Sequence, residues 1–344
     1  MQKKVADFFC SFVDFSKAFD CIPHGKLWNR LLNEGVHGKI LNVLRSMYSK
    51  LISCVKTKDG ITEFFLCQTG TRQGCMISPF LFILYLMELV KMFSKHRCAG
   101  VILDNEYPDV QLWMYADDIC VMNDTVGRLQ QQLDVMSKFC NNYGLKVNFL
   151  KTNVMVFRNG GKLRNNEKWY YDKQILSPVS YYKYLGIMFS STLKWSTPLN
   201  TIAQQATKAS ISAMTKLSDN CGNLPITISL KIFDKQIVPI LLYGSEIWGY
   251  EYRKQIENVQ IRFCKRLLGV SSQTPNVAIL GECGRRSLST LYMTRCIKYW
   301  LKIIMEYDNN RYPKKCYKVM CTLDSAGKQT WATQIGLLLY KLGW

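Results

Sequence analysis

The tetrapeptide Tyr115-Ala116-Asp117-Asp118 sets two adjacent carboxylates in a polar turn between two short apolar runs, Val110–Met114 and Ile119–Met122. Runs this short, rich in β-branched and aromatic residues, predict a β-hairpin with the acids at its tip. Like charges side by side are costly unless a cation offsets them. A hard divalent ion such as Mg²⁺ is suited to that role, because it takes oxygen ligands and keeps positions for water and phosphate. A third acid lies upstream. The run Phe8–Val13 has the pattern of a buried strand and ends at Asp14. If the two strands are neighbours in one sheet, Asp14 meets Asp117 and Asp118. Three carboxylates converging on one point hold two metal ions, Mg²⁺ or Mn²⁺. Two such ions stabilise the attacking and leaving oxygens of an in-line phosphoryl or nucleotidyl transfer. Asp14 and Asp117 are the expected direct ligands, and Asp118 shares the site mainly through its field.

The elements that must hold these acids are also legible. Residues 26–50 read as two short helices joined at Gly35–Gly38, with Leu27, Leu31, Leu32, Ile40, Leu41 and Leu44 on apolar faces. Residues 51–68 alternate loosely and turn at Lys58-Asp59-Gly60, a hairpin signal. Pro79 opens a helix running to about Lys95, since proline is favoured in a first helical turn. Residues 125–143 make an amphipathic helix, with Thr125 as N-cap and Gly144 as stop. Strands are expected at about 153–157 and 182–189. From Pro198 onward the pattern turns helical, at about 198–217, 226–242, 253–268 and 287–305, with breaks at Gly160-Gly161 and from Asn220 to Pro225. This mixed order predicts an α+β fold.

Composition narrows the function classes. Apolar content of 48% is that of a globular chain rather than a disordered one. The longest apolar stretch, Phe80 to Val90, is too short to cross a bilayer. Lys3 and Lys4 precede an apolar run, but Asp7 and Asp14 interrupt it and no small-residue cleavage site follows, so no secretory signal is read. The 14 cysteines are scattered through apolar segments with no Cys-x-x-Cys pair, which predicts buried free thiols in a reducing compartment and no zinc knuckle. The expected setting is therefore intracellular, in nucleus or cytoplasm. The net charge of +20 is uneven. Residues 1–150 carry 17 basic and 14 acidic side chains, and residues 151–344 carry 28 and 11. A nearly neutral first half joined to a strongly basic second half suits a protein that clamps a phosphate backbone. Trp169, Tyr170, Tyr171, Tyr181, Tyr182 and Tyr184, interleaved with lysines, read as faces on which bases could stack.

The order of motifs resembles the reverse transcriptases of non-LTR (LINE-type) retrotransposons. Phe12 to Asp20 with Pro23-His24, then Thr71-Arg72-Gln73-Gly74-Cys75 with Ser78-Pro79, then Tyr115 to Asp118, look like the family's first three palm motifs. Gly144-Leu145-Lys146-Val147-Asn148 with Lys151-Thr152 looks like the fourth, and Tyr184-Leu185-Gly186 like the fifth, the primer grip. A weaker likeness continues through Ile240–Gly249 and Arg266–Val270. The resemblance implies a right-hand polymerase palm, an antiparallel sheet packed on helices, followed by a helical thumb. The implied division is 1–190 palm with partial fingers, 191–270 thumb and 271–344 C-terminal helices. It implies RNA-directed DNA synthesis from deoxynucleoside triphosphates on an RNA template and a DNA primer, with no membrane involved.

Residue by residue, the resemblance makes the backbone carbonyl of Phe15 a further metal ligand and Phe19 the aromatic that excludes a 2′-hydroxyl. Gln73 and Gly74 line the nucleotide pocket, and Arg72 reaches phosphate. Lys151 donates a proton to the leaving pyrophosphate, and Tyr184, Leu185 and Gly186 position the primer end. Met76 departs from the family, which has proline directly after Gln-Gly-Cys. The chain also starts only 13 residues before Asp14. The family's earlier fingers strands and upstream endonuclease are then absent, which implies an N-terminally truncated polymerase of impaired activity. The alternatives are a non-catalytic nucleic-acid-binding remnant of a retroelement and a decayed element with no function of its own.

Overall fold

The structure, a computed structural model, describes residues 7–103, 109–158, 160–221 and 224–344. The chain forms two compact units, Met1–Leu185 and Gly186–Trp344.

The first unit is α+β. Strand β1 (Phe8–Val13) is followed by helices α1 (His24–Asn33) and α2 (Gly38–Ser49). Two small ladders come next: β2 (Ile52–Ser53) with β5 (Phe65–Leu66), and β3 (Lys56–Thr57) with β4 (Gly60–Ile61), the latter turning at Lys58-Asp59. Helix α3 (Ser78–Lys95) has Pro79 in its first turn. The hairpin β6 (Leu112–Tyr115) and β7 (Asp118–Asn123) leads to helix α4 (Val126–Tyr143). Thr125 caps α4 by accepting the Arg128 N–H, and the helix stops at Gly144. Strand β8 (Asn153–Phe157) completes a four-stranded antiparallel sheet of order β6-β7-β1-β8.

Alternation decides the two faces of that sheet. Phe9 and Val13 of β1, with Ile119, Val121, Val154 and Val156, join the core built on α3 and α4. Cys10, Phe12 and Asp14 point the other way. A second hairpin, β9 (Trp169–Tyr171) and β10 (Gln174–Leu176), packs on α4, and strand β11 (Tyr181–Tyr184) ends the unit. No sequence pattern signals the β9–β10 hairpin. Alternation predicts one strand over 182–189, whereas β11 stops at Tyr184 and β12 (Ile187–Ser190) begins after a break. Leu185 and Gly186 have φ of 48° and 82°, and two left-handed residues in a row cannot continue a strand.

The second unit is helical beyond β12. It contains α5 (Ser196–Cys221), α6 (Ile226–Ile232), a π turn (Phe233–Ile237), α7 (Val238–Leu241), α8 (Ser245–Trp248), α9 (Lys254–Leu267) and α10 (Asn276–Glu282). Helix α11 (Leu288–Leu301) runs into a second π turn (Lys302–Glu306), and α12 (Tyr312–Ser325) and α13 (Trp331–Lys341) follow. Leu199, Ile202 and Ala206 of α5, at helical spacing, bury against Phe233, Ile237, Trp248, Ile256, Phe263 and Tyr292. The core includes residues on both sides of position 270. The break expected from Asn220 to Pro225 lies partly outside the described residues. No helix among the described residues is long and apolar enough to cross a membrane.

Candidate active site

The end of β1 places Asp14 between two sheet neighbours. In the antiparallel register Val13 faces Ile119 of β7, so Asp14 lies level with Asp118 one step further. On the other side Phe12 faces Asn153 of β8, which brings Lys151 level with Asp14. Lys151 Nζ lies 3.9 Å from Asp14 Oδ2. Asp14 is pinned by its backbone. Its N–H donates to Thr152 Oγ1 (3.2 Å), and its carbonyl accepts from Asn148 N–H (2.7 Å). Phe15 is buried and bridges to Val147, and its carbonyl accepts no hydrogen bond among the described residues.

The acids interact at this strand end. Partial burial, with the negative charges of Asp117 and Asp14, holds the Asp118 carboxyl above its ordinary value of 3.8. Asp117 occupies the hairpin turn beside Ala116, whose φ is 53°. The three carboxylates nevertheless form no ready ligand cluster: among the described residues no three His, Cys, Asp or Glu side chains gather closely enough to hold a metal ion. The donor set still suits a hard divalent cation, being all oxygen with unneutralised negative charge.

A raised carboxyl means that the charged form of Asp118 is disfavoured by folding. Its charge costs nothing below pH 3.8, where it is protonated folded and unfolded, and the cost is complete above its raised titration. Asp118→Asn is therefore expected to stabilise the chain at neutral pH by less than about 1 kcal/mol, since solvent screens a partly exposed group. The gain should vanish in acid. Thermal melts at pH 7 and pH 3.5 check this, and an equal shift at both would contradict it.

A second group lies beside β1. Phe19 is half-buried and stacks on Phe82 of α3, with centroids 4.6 Å apart. The segment carrying Gln73 is tied to this stretch: Thr71 N–H donates to the Phe19 carbonyl (2.7 Å), Gly70 N–H to Ile22 (2.8 Å), and Gln73 Nε2 to Asp20 Oδ1 (3.0 Å). His24 Nε2 lies 2.7 Å from the Gly70 carbonyl. Gly70 permits the approach, because a Cβ there would sit 2.8 Å from Asp20 backbone atoms. Gln73 and Gly74 are exposed, and Gly74 has φ of 81° with open space around it. Arg72 is exposed, and its guanidinium donates to the Met47 carbonyl (3.1 Å).

Strand β11 covers the face of β1 that carries Asp14. Tyr182 stacks on Phe12 at 4.2 Å, and Tyr184 lies 5.3 Å from the same ring. Burial, then the Asp14 and Asp118 charges, push the Tyr182 phenol up to about 12. The Tyr184 hydroxyl is buried without a hydrogen-bond partner among the described residues, and burial raises its titration as well. Leu185 and Gly186 straddle the division between the two units.

The expected aromatic stacking platform does not exist as a whole. Trp169 and Tyr171 are buried core residues, because alternation along β9 turns both toward α4, and only Tyr170 and Tyr181 are substantially exposed. Two further residues matter that lie within the motifs without a role assigned to them: Asp20, which holds Gln73, and Thr152, which holds the backbone of Asp14. A second acid six residues after Asp14 is the available signal for the first, and no signal points to the role of the second.

Comparison with known proteins supplies the family. The profile of the family "Reverse transcriptase (RNA-dependent DNA polymerase)" matches residues 2–189. The "RNA-directed DNA polymerase from mobile element jockey" of Drosophila melanogaster is 23% identical over 270 residues, which are 76% of this chain and 28% of that protein. The "Retrovirus-related Pol polyprotein from type-1 retrotransposable element R2" of Popillia japonica is 24% identical over 274 residues, 77% of this chain and 37% of that protein. The chain thus spans well under half the length of these relatives. Among solved structures, telomerase from Candida tropicalis with a fragment of telomeric RNA covers 98% of this chain and 50% of its own, at 15% identity and a TM-score of 0.43. The matched span holds more than half of the residues and all five motifs, with the last ending at Gly186, so the chain belongs to the reverse transcriptase (RNA-dependent DNA polymerase) family, among those of non-LTR, LINE-type elements.

Proposed function

We propose that this chain carries RNA-directed DNA synthesis at the end of β1, as the catalytic part of a LINE-type element protein. One observation carries the reading: the sheet register sets Asp14 between Asp118 and Lys151, at the tip of the hairpin that holds Asp117. Asp14, Asp117 and the Phe15 carbonyl would hold two Mg²⁺ or Mn²⁺ ions, with Asp118 adding negative field. When bound, such ions stabilise charge on the attacking and leaving oxygens of nucleotidyl transfer.

The other roles belong to the chain's own side chains. Phe19, backed by Phe82, fills the volume beside the sugar and rejects a 2′-hydroxyl by steric exclusion. Gln73 and Gly74 border the incoming deoxynucleoside triphosphate, with Arg72 available to its phosphates. Lys151 gives a proton to the leaving pyrophosphate, a contribution of ~10²–10⁴ in rate for general acids. Tyr184, Leu185 and Gly186 set the primer end on an RNA template. In these terms residues 1–190 act as palm with partial fingers, 191–270 as thumb and 271–344 as a C-terminal helical region.

A second reading, a non-catalytic nucleic-acid-binding remnant, is favoured by the lack of a gathered ligand cluster among the described residues. Primer extension on an RNA template, with purified chain and Mg²⁺, separates the two. Catalysis predicts extension by deoxynucleotides that Asp117→Ala eliminates. In that assay Phe19→Ala should raise ribonucleotide use by about 10²-fold relative to deoxynucleotides, the scale on which a single hydroxyl is discriminated. RNA binding without extension and without any metal response would leave the binding reading.

A further inference from the structure

No role above falls to Pro23-His24, the pair that follows the first motif. In the structure it lies on the segment that leads to Gln73. Pro23 forms an antiparallel bridge with Thr69, and His24, the first residue of α1, reaches the next residue: its Nε2 lies 2.7 Å from the Gly70 carbonyl oxygen. A carbonyl only accepts, so Nε2 carries the proton and His24 is the donor. The imidazole packs against two rings. Its centroid lies 5.4 Å from that of the buried Tyr48, edge-on at 78°, and 5.9 Å from that of Trp28. Tyr48 and Trp28 also meet each other edge-on, at 5.6 Å. Packing on α1 and α2 thereby sets the direction of the donor. Gly70 is buried, and its carbonyl accepts no other hydrogen bond among the described residues. The residues around it are fastened one by one. The Gly70 and Thr71 N–H groups donate to Ile22 and Phe19, and the Arg72 carbonyl accepts from Ser78 Oγ (2.6 Å), which lies 3.4 Å from the Tyr48 hydroxyl. Tyr48 thus backs two fastenings, the imidazole on Gly70 and the hydroxyl on Arg72. Gln73, held by Asp20, and Gly74 then stand exposed.

We propose that His24 is a positioning residue for the incoming nucleotide: by holding the Gly70 carbonyl, it fixes the stretch on which Gln73 and Gly74 meet a deoxynucleoside triphosphate. The inference rests on the reading that those two residues border that substrate, and it makes His24 act through Gly70 rather than by touching substrate. Removing the donor leaves a buried carbonyl unsatisfied, which costs more than the net worth of the bond, so the segment should shift to regain a partner. The shift reaches Gln73, three residues on. Nucleotide affinity is then the property that responds, while the carboxylates at the end of β1 keep their register.

The test is steady-state primer extension by the whole chain on an RNA template with Mg²⁺, with the deoxynucleotide varied. His24→Phe keeps a ring against Tyr48 and Trp28 and removes the donor. His24→Asn keeps an amide but is too short to reach Gly70. Each should raise the deoxynucleotide KM about 10-fold, the scale of one hydrogen bond, with kcat within about 3-fold of the parent. His24→Gln, whose amide nitrogen stands close to the place of Nε2, should restore the parental KM. Affinity for the primer–template duplex and the Mg²⁺-dependent thermal shift should stay parental in all three, which a general loosening of the fold would not allow. Trypsin supplies a readout without turnover: cleavage after the exposed Arg72 should quicken in His24→Phe and His24→Asn but not in His24→Gln. Parental KM and tryptic cleavage in both donor-less variants, a His24→Gln chain as impaired as they are, or parallel losses of duplex affinity and metal response would each overturn the proposal. A parent chain that extends no primer defeats the catalytic reading itself, and the role of His24 falls with it. A parent that extends primers beside indifferent His24 variants defeats this proposal alone.

Discussion

Asp14→Ala and Asp117→Ala are each expected to abolish the response of this chain to divalent metal. In the parent, Mg²⁺ or Mn²⁺ at 100 times its dissociation constant should stabilise the fold by about 2.7 kcal/mol, the linkage expected of a ligand that binds only the folded state. Either substitution removes a hard oxygen donor and one of the charges that a cation would offset, and the thermal shift should disappear. Template-directed extension should fall by more than about 10³-fold, since loss of metal ligation removes several kcal/mol of transition-state stabilisation. Lys151→Ala separates the two effects. Its ammonium pairs with Asp14 at 3.9 Å, so removing it leaves the donors intact and frees Asp14 from a competing cation. The metal shift should persist or grow, while extension slows by about 10²–10⁴ through loss of the general acid. A parent chain with no metal-dependent shift, or a Lys151→Ala chain that loses it, would count against the site.

The second large effect is salt. Residues 151–344 hold 28 basic against 11 acidic side chains, and nucleic-acid affinity should be dominated by release of condensed counterions. If 6–10 phosphates are neutralised, affinity for RNA falls by about 10³–10⁵ between 50 and 200 mM salt. Filter binding across that range should give a straight log–log plot with a slope of several units, similar for unrelated sequences. A slope near zero would sink the clamp.

Much of the site is legible in the sequence. The Asp117–Asp118 hairpin, the strand ending at Asp14 and the helix entered at Pro79 are local patterns, and all three form where alternation, turn chemistry and capping place them. Thr125 and Gly144 bound α4 for the same reason. Other features mislead because pattern does not reveal what covers a strand. Trp169 and Tyr171 have the makings of a stacking surface, yet α4 lies against them. Residues 182–189 have the pattern of one strand, because the apolar alternation runs through Leu185 and Gly186.

Composition and local pattern settle which residues carry charge, which family their motifs match, and where helices, turns and strands start. Packing settles that β1 lies between β7 and β8, and in which register. From that single choice it follows that Asp14 is level with Asp118 on one side and Lys151 on the other, although both lie far along the chain from it. The tie of Gln73 to Asp20 and the cover of Tyr182 over Phe12 are of the same kind. The physical reason is range. Propensity and capping act within a turn or two, whereas strand order and register are set by burying one whole face of the sheet, a condition that a slip of one residue would reverse.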